Sequence, residues 1–244
     1  MNKVRFDIAD WHALSPGMAN QSDWAAWAAN GKAWPTDPAP VAVGDIPAMM
    51  RRRMSLLSKL AIQTAMTLVQ SHSVDFIVFS SRHGELHRTV TLLQDVLRGD
   101  DASPIAFSQS VHNTAAGLLT IATKLAIPVT SIAAGEHSLH AALIDAAAYL
   151  AEHPTHRVLV VDFDEPLPVP YDIYEPQPHQ GFALGMVITQ GEQCTLRWQR
   201  APSAASMVAL EPLQTLAVIA QLAQQAPAWS INGHRHHWHW NIKA

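Results

Sequence analysis

The chain has 244 residues, of which 48% are hydrophobic and 15% are charged, and its formal net charge is −4. This length allows one sizeable α/β domain with a full core. The charge excludes the concentrated positive surface that is typical of nucleic-acid-binding proteins, so we expect no nucleic-acid partner. The high apolar content, with so few charges to cover it, favours a protein partner instead.

The sequence also indicates the compartment in which the protein works. No apolar run approaches the ~18 residues that a membrane span needs, and the N-terminal residues lack the apolar core of a signal peptide. The single cysteine, Cys194, cannot form a disulfide within the chain and is typical of a reducing compartment. We expect a cytoplasmic protein without a membrane span.

The first part of the chain predicts strands and helices in alternation. Residues 4–9 alternate as in a strand, and residues 49–70 carry the apolar spacing of one long helix. The three arginines at 51–53 fall in its first turn, where the helix dipole disfavours cations. They therefore pair with an acidic group elsewhere in the fold, bind a phosphate-bearing carrier arm, or form a solvated face. Residues 75–80 (DFIVFS) predict a buried strand, and residues 85–97 predict a helix.

The stretch 103–143 organises the middle of the chain. It predicts a helix, a turn at Pro128, a short strand, a turn at residues 133–136 and a second long helix that reaches about residue 152. A strand that leads through a small-residue turn into a helix is how many folds present a nucleophile, because the helix N-terminus offers unpaired N–H groups. Here the turn, AAGE, contains no nucleophile.

The last part of the chain predicts three strands and a helix. Residues 157–163 predict a buried strand, and residues 182–190 and 195–200 predict a hairpin with its turn at Gly191 and Glu192. A helix follows over 211–225, and then a final strand or tail from Trp229 onward. Strands alternating with helices predict a mixed sheet with helices on both faces.

Two segments carry a family resemblance: residues 110–117 (SVHNTAAG) and residues 130–140 (TSIAAGEHSLH). Together they resemble the N-terminal half of a β-ketoacyl synthase. Residues 51–61 and 158–165 are similar to a helix and a core strand of the same family, so the resemblance extends over about residues 47–190. It implies an α/β thiolase-like half-fold, with a mixed five-stranded sheet flanked by helices and truncated relative to full ketosynthases.

The resemblance also implies a domain arrangement. We expect a single ketoacyl-synthase-like domain over residues 1–244, with a divergent C-terminal hairpin, helix and His/Trp-rich tail over 191–244. The C-terminal half, which in active synthases supplies two histidines and a Gly-rich motif containing Asn, has no counterpart in this sequence.

The resemblance places Gly135 where an active synthase has its acyl-accepting cysteine, so it implies a catalytically inactive subunit with no catalytic residue, no cofactor and no metal. It looks like a chain length factor, closest to the chain-length-factor-like proteins of aryl polyene systems. Such a subunit pairs with an active ketosynthase, shapes its acyl tunnel, and meets the acidic acyl carrier protein indirectly. The residues implied at the partner interface and acyl tunnel are Ile105, Phe107, Val111, His112, Asn113, Thr114, Ala116 and Gly117. A bulky charge at Asn113 or Ala116 should then prevent pairing.

Other functions remain open on the sequence. Ser138, flanked by His137 and His140, could act as a nucleophile, although neighbouring helical positions point to different sides. Cys194 is expected to be an incidental buried residue. A homodimeric scaffold that binds acyl carrier protein is a further alternative. A residual decarboxylase is disfavoured, because the half that holds its histidine pair is missing.

The C-terminal run GHRHHWHW at residues 233–240 is the last candidate site. On a strand, His234 and His236 would share one face, and His237 and His239 the other, so a two-histidine metal site is geometrically possible. No cysteine or carboxylate lies close in sequence to complete a structural zinc site. We expect this run to pack on the domain or on a partner.

Overall fold

The computed structural model describes residues 2–175, 177–201, 211 and 213–243. The strands are β1 Asn2–Leu14, β2 Phe76–Ser80, β3 Val129–Ile132, β4 Arg157–Asp164, β5 Phe182–Arg200, β6 Ala228–Asn232 and β7 His236–Ile242. The α-helices are α1 Gln21–Ala29, α2 Ala48–Arg51, α3 Leu56–Ser71, α4 Leu86–Arg98, α5 Pro104–Ser108, α6 Thr114–Thr123, α7 Ser138–Glu152 and α8 Gln214–Ala223. Short 3₁₀ turns lie at Gly135–His137 and Tyr171–Tyr174.

The described strands form one mixed sheet in the order β3-β2-β4-β5-β7-β6, with β1 pairing to β5. Strands β2, β3 and β4 are parallel, and the pairs that involve β1, β5, β6 and β7 are antiparallel. The predicted mixed α/β architecture is confirmed. The sheet has seven strands rather than the expected five, because β1 and the β6–β7 hairpin both extend it through β5.

The expected hairpin at Gly191 and Glu192 is not formed, because β5 runs through this point as one strand of 19 residues. Strand β1 pairs with β5 on both sides of it, and the register moves from Phe6 opposite Cys194 to Asp7 opposite Thr189. The Asp7 carboxylate accepts a hydrogen bond from the Gln193 N–H at 2.7 Å. A Cβ on Gly191 would overlap that carboxylate, so Gly191 permits a bulge rather than a turn.

The long helix predicted over residues 49–70 is divided in two. Helix α2 ends at Arg51, and α3 begins after Ser55. The Ser55 side chain caps α3 by accepting a hydrogen bond from the Ser58 N–H at 2.9 Å. The arginines at 51–53 consequently lie at the end of α2 and in the turn after it. Within the described residues none of these three forms an ion pair, and Arg88 donates to the Arg53 carbonyl at 2.6 Å.

The sheet separates two apolar cores. One lies between the sheet and helices α1, α7 and α8, and it includes Trp24, Leu143 and Trp240. The other lies on the opposite face, where α3 and α6 pack on β2, β4 and the first part of β5. The strands between them are apolar on both faces, as expected for strands covered on both sides.

Gly185 is a residue at which α3 packs closely on the sheet. A Cβ at this position would lie 2.6 Å from Leu68 Cδ1 and 2.9 Å from Thr64 Cγ2. We expect Gly185→Ala to lower the free energy of unfolding by about 1–3 kcal/mol, because α3 must shift to accept the methyl group. Urea unfolding measures this. Gly44→Ala is the control, since nothing lies within 4 Å of its Cβ position; equal stability of the two variants would contradict the close packing.

Candidate functional site

The turn between β3 and α7 is the position at which the family resemblance places the nucleophile of an active synthase. It passes through Ala133 and Ala134 into the 3₁₀ turn Gly135–His137, and Gly135 has a φ of +60°. This left-handed conformation favours glycine. The position that the resemblance assigned to a cysteine therefore has no side chain and a backbone suited to having none.

Ser138 closes this turn rather than serving as a nucleophile. Its Oγ donates to the Gly135 carbonyl at 2.8 Å and accepts from the Ala134 N–H at 3.0 Å. The residue is buried, and no histidine in the described residues is hydrogen-bonded to it. Without a base within reach, the hydroxyl cannot be activated as in a Ser–His pair.

A polar cleft opens over Gly135 at the carboxyl ends of the parallel strands β2, β3 and β4, which is where open α/β sheets commonly bind ligands. Its volume is about 530 Å³. The guanidinium of Arg82 lies 3.5 Å from the Glu175 carboxylate. The lining residues are Arg82, His83, Ala134, Gly135, Glu136, His137, Tyr174, His234 and Arg235. These residues include no thiol, no amine and no aliphatic hydroxyl.

Cys194 lies far from this cleft, on β5, where it pairs with Phe6 and with Ile242. The thiol is fully buried, and burial, together with the nearby Asp7 carboxylate, raises its pKa to about 12. A thiol of this pKa is not a nucleophile at neutral pH. The expectation that Cys194 is a buried, incidental residue agrees with this position.

The His/Trp-rich run forms the β6–β7 turn and strand β7, and one side of that strand packs into the core. Trp238 stacks on the His140 ring at a centroid distance of 4.2 Å, and Trp240 donates to His140 Nε2 at 3.1 Å. Burial lowers the pKa of His140 to about 3, so this ring is neutral. His237 and His239 lie on the opposite side of β7, as predicted. No cluster of three potential metal ligands is found among the described residues.

The turn between β6 and β7 is fixed on the turn that contains Gly135. Glu136 accepts hydrogen bonds from the His234 N–H at 2.6 Å and from the His234 ring at 2.8 Å. Gly233 lies so close that a Cβ would be 2.6 Å from His137 Cε1 and 3.0 Å from Glu136 Oε1. The C-terminal hairpin thus forms one wall of the cleft, which places His234 in a turn rather than on the strand.

Sequence reasoning missed a group of buried carboxyl groups at the end of β4. Asp162 accepts from Ser80 Oγ at 2.5 Å and from Thr215 Oγ1 at 2.6 Å, which connects β4 to β2 and α8. Asp164 accepts from Ser81 Oγ at 3.0 Å and from the Arg82 N–H at 3.1 Å. The sequence contains a signal for this group. Asp162 and Asp164 lie two positions apart in an otherwise apolar strand, so both side chains must be buried on the same face of the sheet.

Burial raises the pKa of each of these carboxyl groups. The pKa of Asp162 rises to about 6 and that of Asp164 to about 8, where the neighbouring Asp162 adds to the effect of burial. Burial also raises the pKa of Glu165 to about 7. Asp164 is therefore mainly protonated at neutral pH. The group holds the turn at residues 81–84 against the strand ends beneath the cleft.

Comparison with known proteins identifies the family and the fold. The family model of the β-ketoacyl synthase N-terminal domain matches residues 24–241. The chain belongs to the β-ketoacyl synthase family. No curated protein sequence matches it. The family assignment confirms the resemblance that residues 110–117 and 130–140 indicated.

Solved structures of the family support this assignment. A chain in the complex of the ketosynthase ApeO with its chain length factor ApeC, from Xenorhabdus doucetiae, is 32% identical, with a TM-score of 0.86 over 98% of this chain and 99% of that one. The ishigamide ketosynthase/chain length factor is 16% identical, with a TM-score of 0.70 over 99% of each chain. A β-ketoacyl synthase from Burkholderia phymatum STM815 is 12% identical, with a TM-score of 0.59 over 92% of this chain but 71% of its own. The chain thus shares the ketosynthase-like fold.

The residues predicted at the partner interface and acyl tunnel divide into an outer and an inner set. The outer set is exposed and consists of Ile105, Phe107, Val111, Asn113 and Gly117. The inner set consists of His112, Thr114 and Ala116, of which Thr114 and Ala116 are buried. His112 is half-buried and donates from its ring to the Ser81 carbonyl at 3.0 Å.

This division changes how the interface can be tested in this ketosynthase-like chain. Ala116 packs in the chain's own core beside α3, so a charged residue there would disturb folding as well as any pairing. Ile105 and Phe107 are 57% and 62% exposed. They can be replaced without opening the core.

The buried carboxyl group of Asp164 makes stability depend on pH. Its pKa is about 8 in the folded chain and 3.8 without the fold, so the folded state holds a proton that the unfolded state releases. The contribution of Asp164 to stability is therefore fully present below about pH 4 and is lost as pH rises to about 8.

We expect Asp164→Asn to flatten the decrease in the free energy of unfolding between about pH 5 and pH 8 by the equivalent of up to roughly one proton. Chemical unfolding at several pH values measures the slope. Asp37→Asn, at an exposed position, provides the control. A slope that is the same in Asp164→Asn as in the unsubstituted chain would contradict the protonated state.

Proposed function

We propose that this chain is a non-catalytic chain length factor, which pairs with an active ketosynthase in the assembly of an aryl-polyene-type polyketide in the cytoplasm. The observation that carries the proposal is at Gly135. The chain is similar over nearly its full length to a chain of a ketosynthase–chain length factor complex, yet it has no side chain at the nucleophile position. Family membership with an empty nucleophile position favours a structural role.

The surface of the chain supports a protein partner. Exposed large apolar side chains concentrate between residues 93 and 129. We define the apolar face as the exposed residues of α4, α5, α6 and β3 and of the loops that follow α5 and α6: Leu93, Val96, Leu97, Ile105, Phe107, Val111, Ile121, Leu125 and Val129. Helix α4 contacts α5, and α6 contacts β3, and monomeric proteins rarely expose large contiguous apolar patches. Burial of this face against a ketosynthase would release ordered water and stabilise the pair.

The position of β3 in the sheet also supports a partner interface next to the apolar face. Strand β3 lies at one end of the sheet and pairs only with β2 among the described strands. Its free edge presents backbone groups that another strand could pair with. In the proposed complex, this edge and the apolar face lie against the ketosynthase, and the residues of α5 and the loop after it close the end of its acyl tunnel.

The chemistry of the proposed complex belongs to the partner. The ketosynthase supplies the cysteine that accepts the acyl chain and the histidines that promote condensation, while this chain limits the length to which the product grows. A type II polyketide acyl carrier protein has been solved in complex with its ketosynthase. We propose that the acyl carrier protein delivers its substrates to the ketosynthase here as well.

Co-expression tests the pairing directly. A ketosynthase from the same gene neighbourhood is tagged, and this chain is left untagged because its own histidine run would bind nickel resin. A heterodimer of equal stoichiometry on size-exclusion chromatography is the expected result. A stable chain that forms no complex with any neighbouring ketosynthase would contradict the proposal.

Phe107→Asp provides a specific test of the apolar face. We expect at least roughly 100-fold weaker pairing, because a carboxylate buried in an apolar interface has no counter-charge. Analytical ultracentrifugation of the purified subunits measures the dissociation constant. Ile173→Asp is the matched control, since Ile173 is 76% exposed but lies outside the apolar face. Unchanged pairing by Phe107→Asp would show that the interface lies elsewhere.

Gly135→Cys tests whether the missing nucleophile is the sole obstacle to catalysis. Nothing lies within 4 Å of the Cβ position, so the side chain fits, with some strain from the φ of +60°. We expect no condensing activity from the purified chain, because His137 is engaged by Trp238 and Gln214 and His234 by Glu136. Mass spectrometry of carrier-bound products measures it, with thermal unfolding to verify the fold. A condensation product from the single chain would contradict the non-catalytic role.

A further inference from the structure

The second part of the sheet has one face that no described helix covers. Strands β6 and β7, with the adjoining parts of β1 and β5, direct Phe6, Leu196, Ile231, Trp238 and Trp240 into the core against α7 and α8. Alternation along each strand places the intervening residues on the opposite face. Those residues are exposed or half-buried, apart from Thr195, so the second side of the sheet is open to solvent.

The open face carries cations, and the carboxylates beside it, Asp7 and Glu192, lie together at the β5 bulge on its margin. We define it by its outward positions, which the strand registers give as Lys3, Arg5, Thr195, Arg197, Gln199, Ala228, Ser230, Asn232, His237, His239 and Asn241. None of these is Asp or Glu, although acidic residues outnumber Lys and Arg in the chain by 20 to 16. A sheet face exposed only to water would ordinarily mix both signs of charge.

The cations also lie directly beside one another. Lys3 is opposite Arg197, which places two like charges side by side, and Arg197 is opposite the imidazole of His239, so the three residues form one row across strands β1, β5 and β7. Like charges at opposite positions of neighbouring strands destabilise a sheet. This arrangement is unfavourable for the isolated chain, and an anionic partner would remove the repulsion.

Neighbouring acidic groups do not neutralise the row. Glu192 lies in the β5 bulge at the margin of the face, and it pairs with Arg5 and approaches Lys243 at 3.9 Å. Lys3 and Arg197 form no ion pair within the described residues. The Nδ1 atom of His239 shares a hydrogen bond with Ser230 Oγ at 2.8 Å, which leaves its Nε2 atom available.

The shape of the open face favours a protein over a small ligand. A shallow depression of about 500 Å³ lies over part of it, lined by residues of β5, β6 and β7 that include Arg197, Ser230, His239 and Asn241. Neighbouring strands are about 4.8 Å apart, so the row of Lys3, Arg197 and His239, which crosses three strands, spans roughly 10 Å of a broad surface. A set of carboxylates on a folded partner matches this spacing.

We propose that the open face docks the acidic acyl carrier protein directly, in addition to the contacts that the carrier makes with the ketosynthase. The inference rests on the proposed function for the identity of the partner. Strands β3 and β6 lie at opposite ends of the sheet order, so the carrier can dock here without displacing the ketosynthase from the apolar face. Docking on this chain raises the effective concentration of the carrier at the synthase.

The test measures carrier binding to the heterodimer and to the isolated full chain. The probe is the acyl carrier protein from the same gene neighbourhood, titrated by fluorescence anisotropy at low and moderate salt. We expect the double variant Lys3→Glu/Arg197→Glu to weaken binding by about tenfold or more, and added salt to weaken binding to the unsubstituted chain. The control is Lys32→Glu/Arg157→Glu, which changes the net charge equally at exposed positions outside the open face.

Each outcome decides between the two proposals. Weaker carrier binding by Lys3→Glu/Arg197→Glu, with an unchanged heterodimer and an unaffected control, supports the docking surface. The docking surface is overturned if the unsubstituted chain and both double variants bind the carrier equally, or if both double variants weaken binding equally. Either result leaves the pairing with the ketosynthase intact. If no heterodimer forms, the proposed function fails, and the titration of the isolated chain still decides whether the open face binds the carrier.

Discussion

The pairing of β5 with three other strands is the constraint on which the whole structure depends. Its first part lies between β1 and β4 in the covered half of the sheet, and its last part lies between β1 and β7 in the half with an open face. The bulge beside Asp7 allows one strand to serve both halves, because it changes the register without ending the pairing. One strand thereby connects the two halves of the sheet in this ketosynthase-like fold.

Much of this fold could be predicted from the sequence, because the central strands and helices have local signals. The run at residues 75–80 is apolar throughout, and a strand buried on both faces needs that pattern. The turn at Gly135 was likewise identified from small residues between a strand and a helix. Family resemblance then supplied the topology that periodicity alone could not.

The remaining features depend on contacts between residues distant in sequence. The bulge at Gly191 has the composition of a hairpin turn, and only the carboxylate of Asp7, far away in the chain, shows why the strand continues. The row of Lys3, Arg197 and His239 exists only through strand register. The break before α3 was an exception, since Ser55 is a recognisable cap whose signal was outweighed by the apolar spacing around it.

The turn that carries the nucleophile in active synthases has acquired a structural use in this chain. Glu136 holds the β6–β7 turn, Ser138 closes its own turn, and His140 stacks on Trp238 in the core. Each of these side chains uses its hydrogen-bonding atoms or its ring for packing, so none is available to activate a substrate. Under the proposed non-catalytic role, this chain differs from an active synthase by more than one cysteine, because the residues around Gly135 also stabilise the C-terminal hairpin.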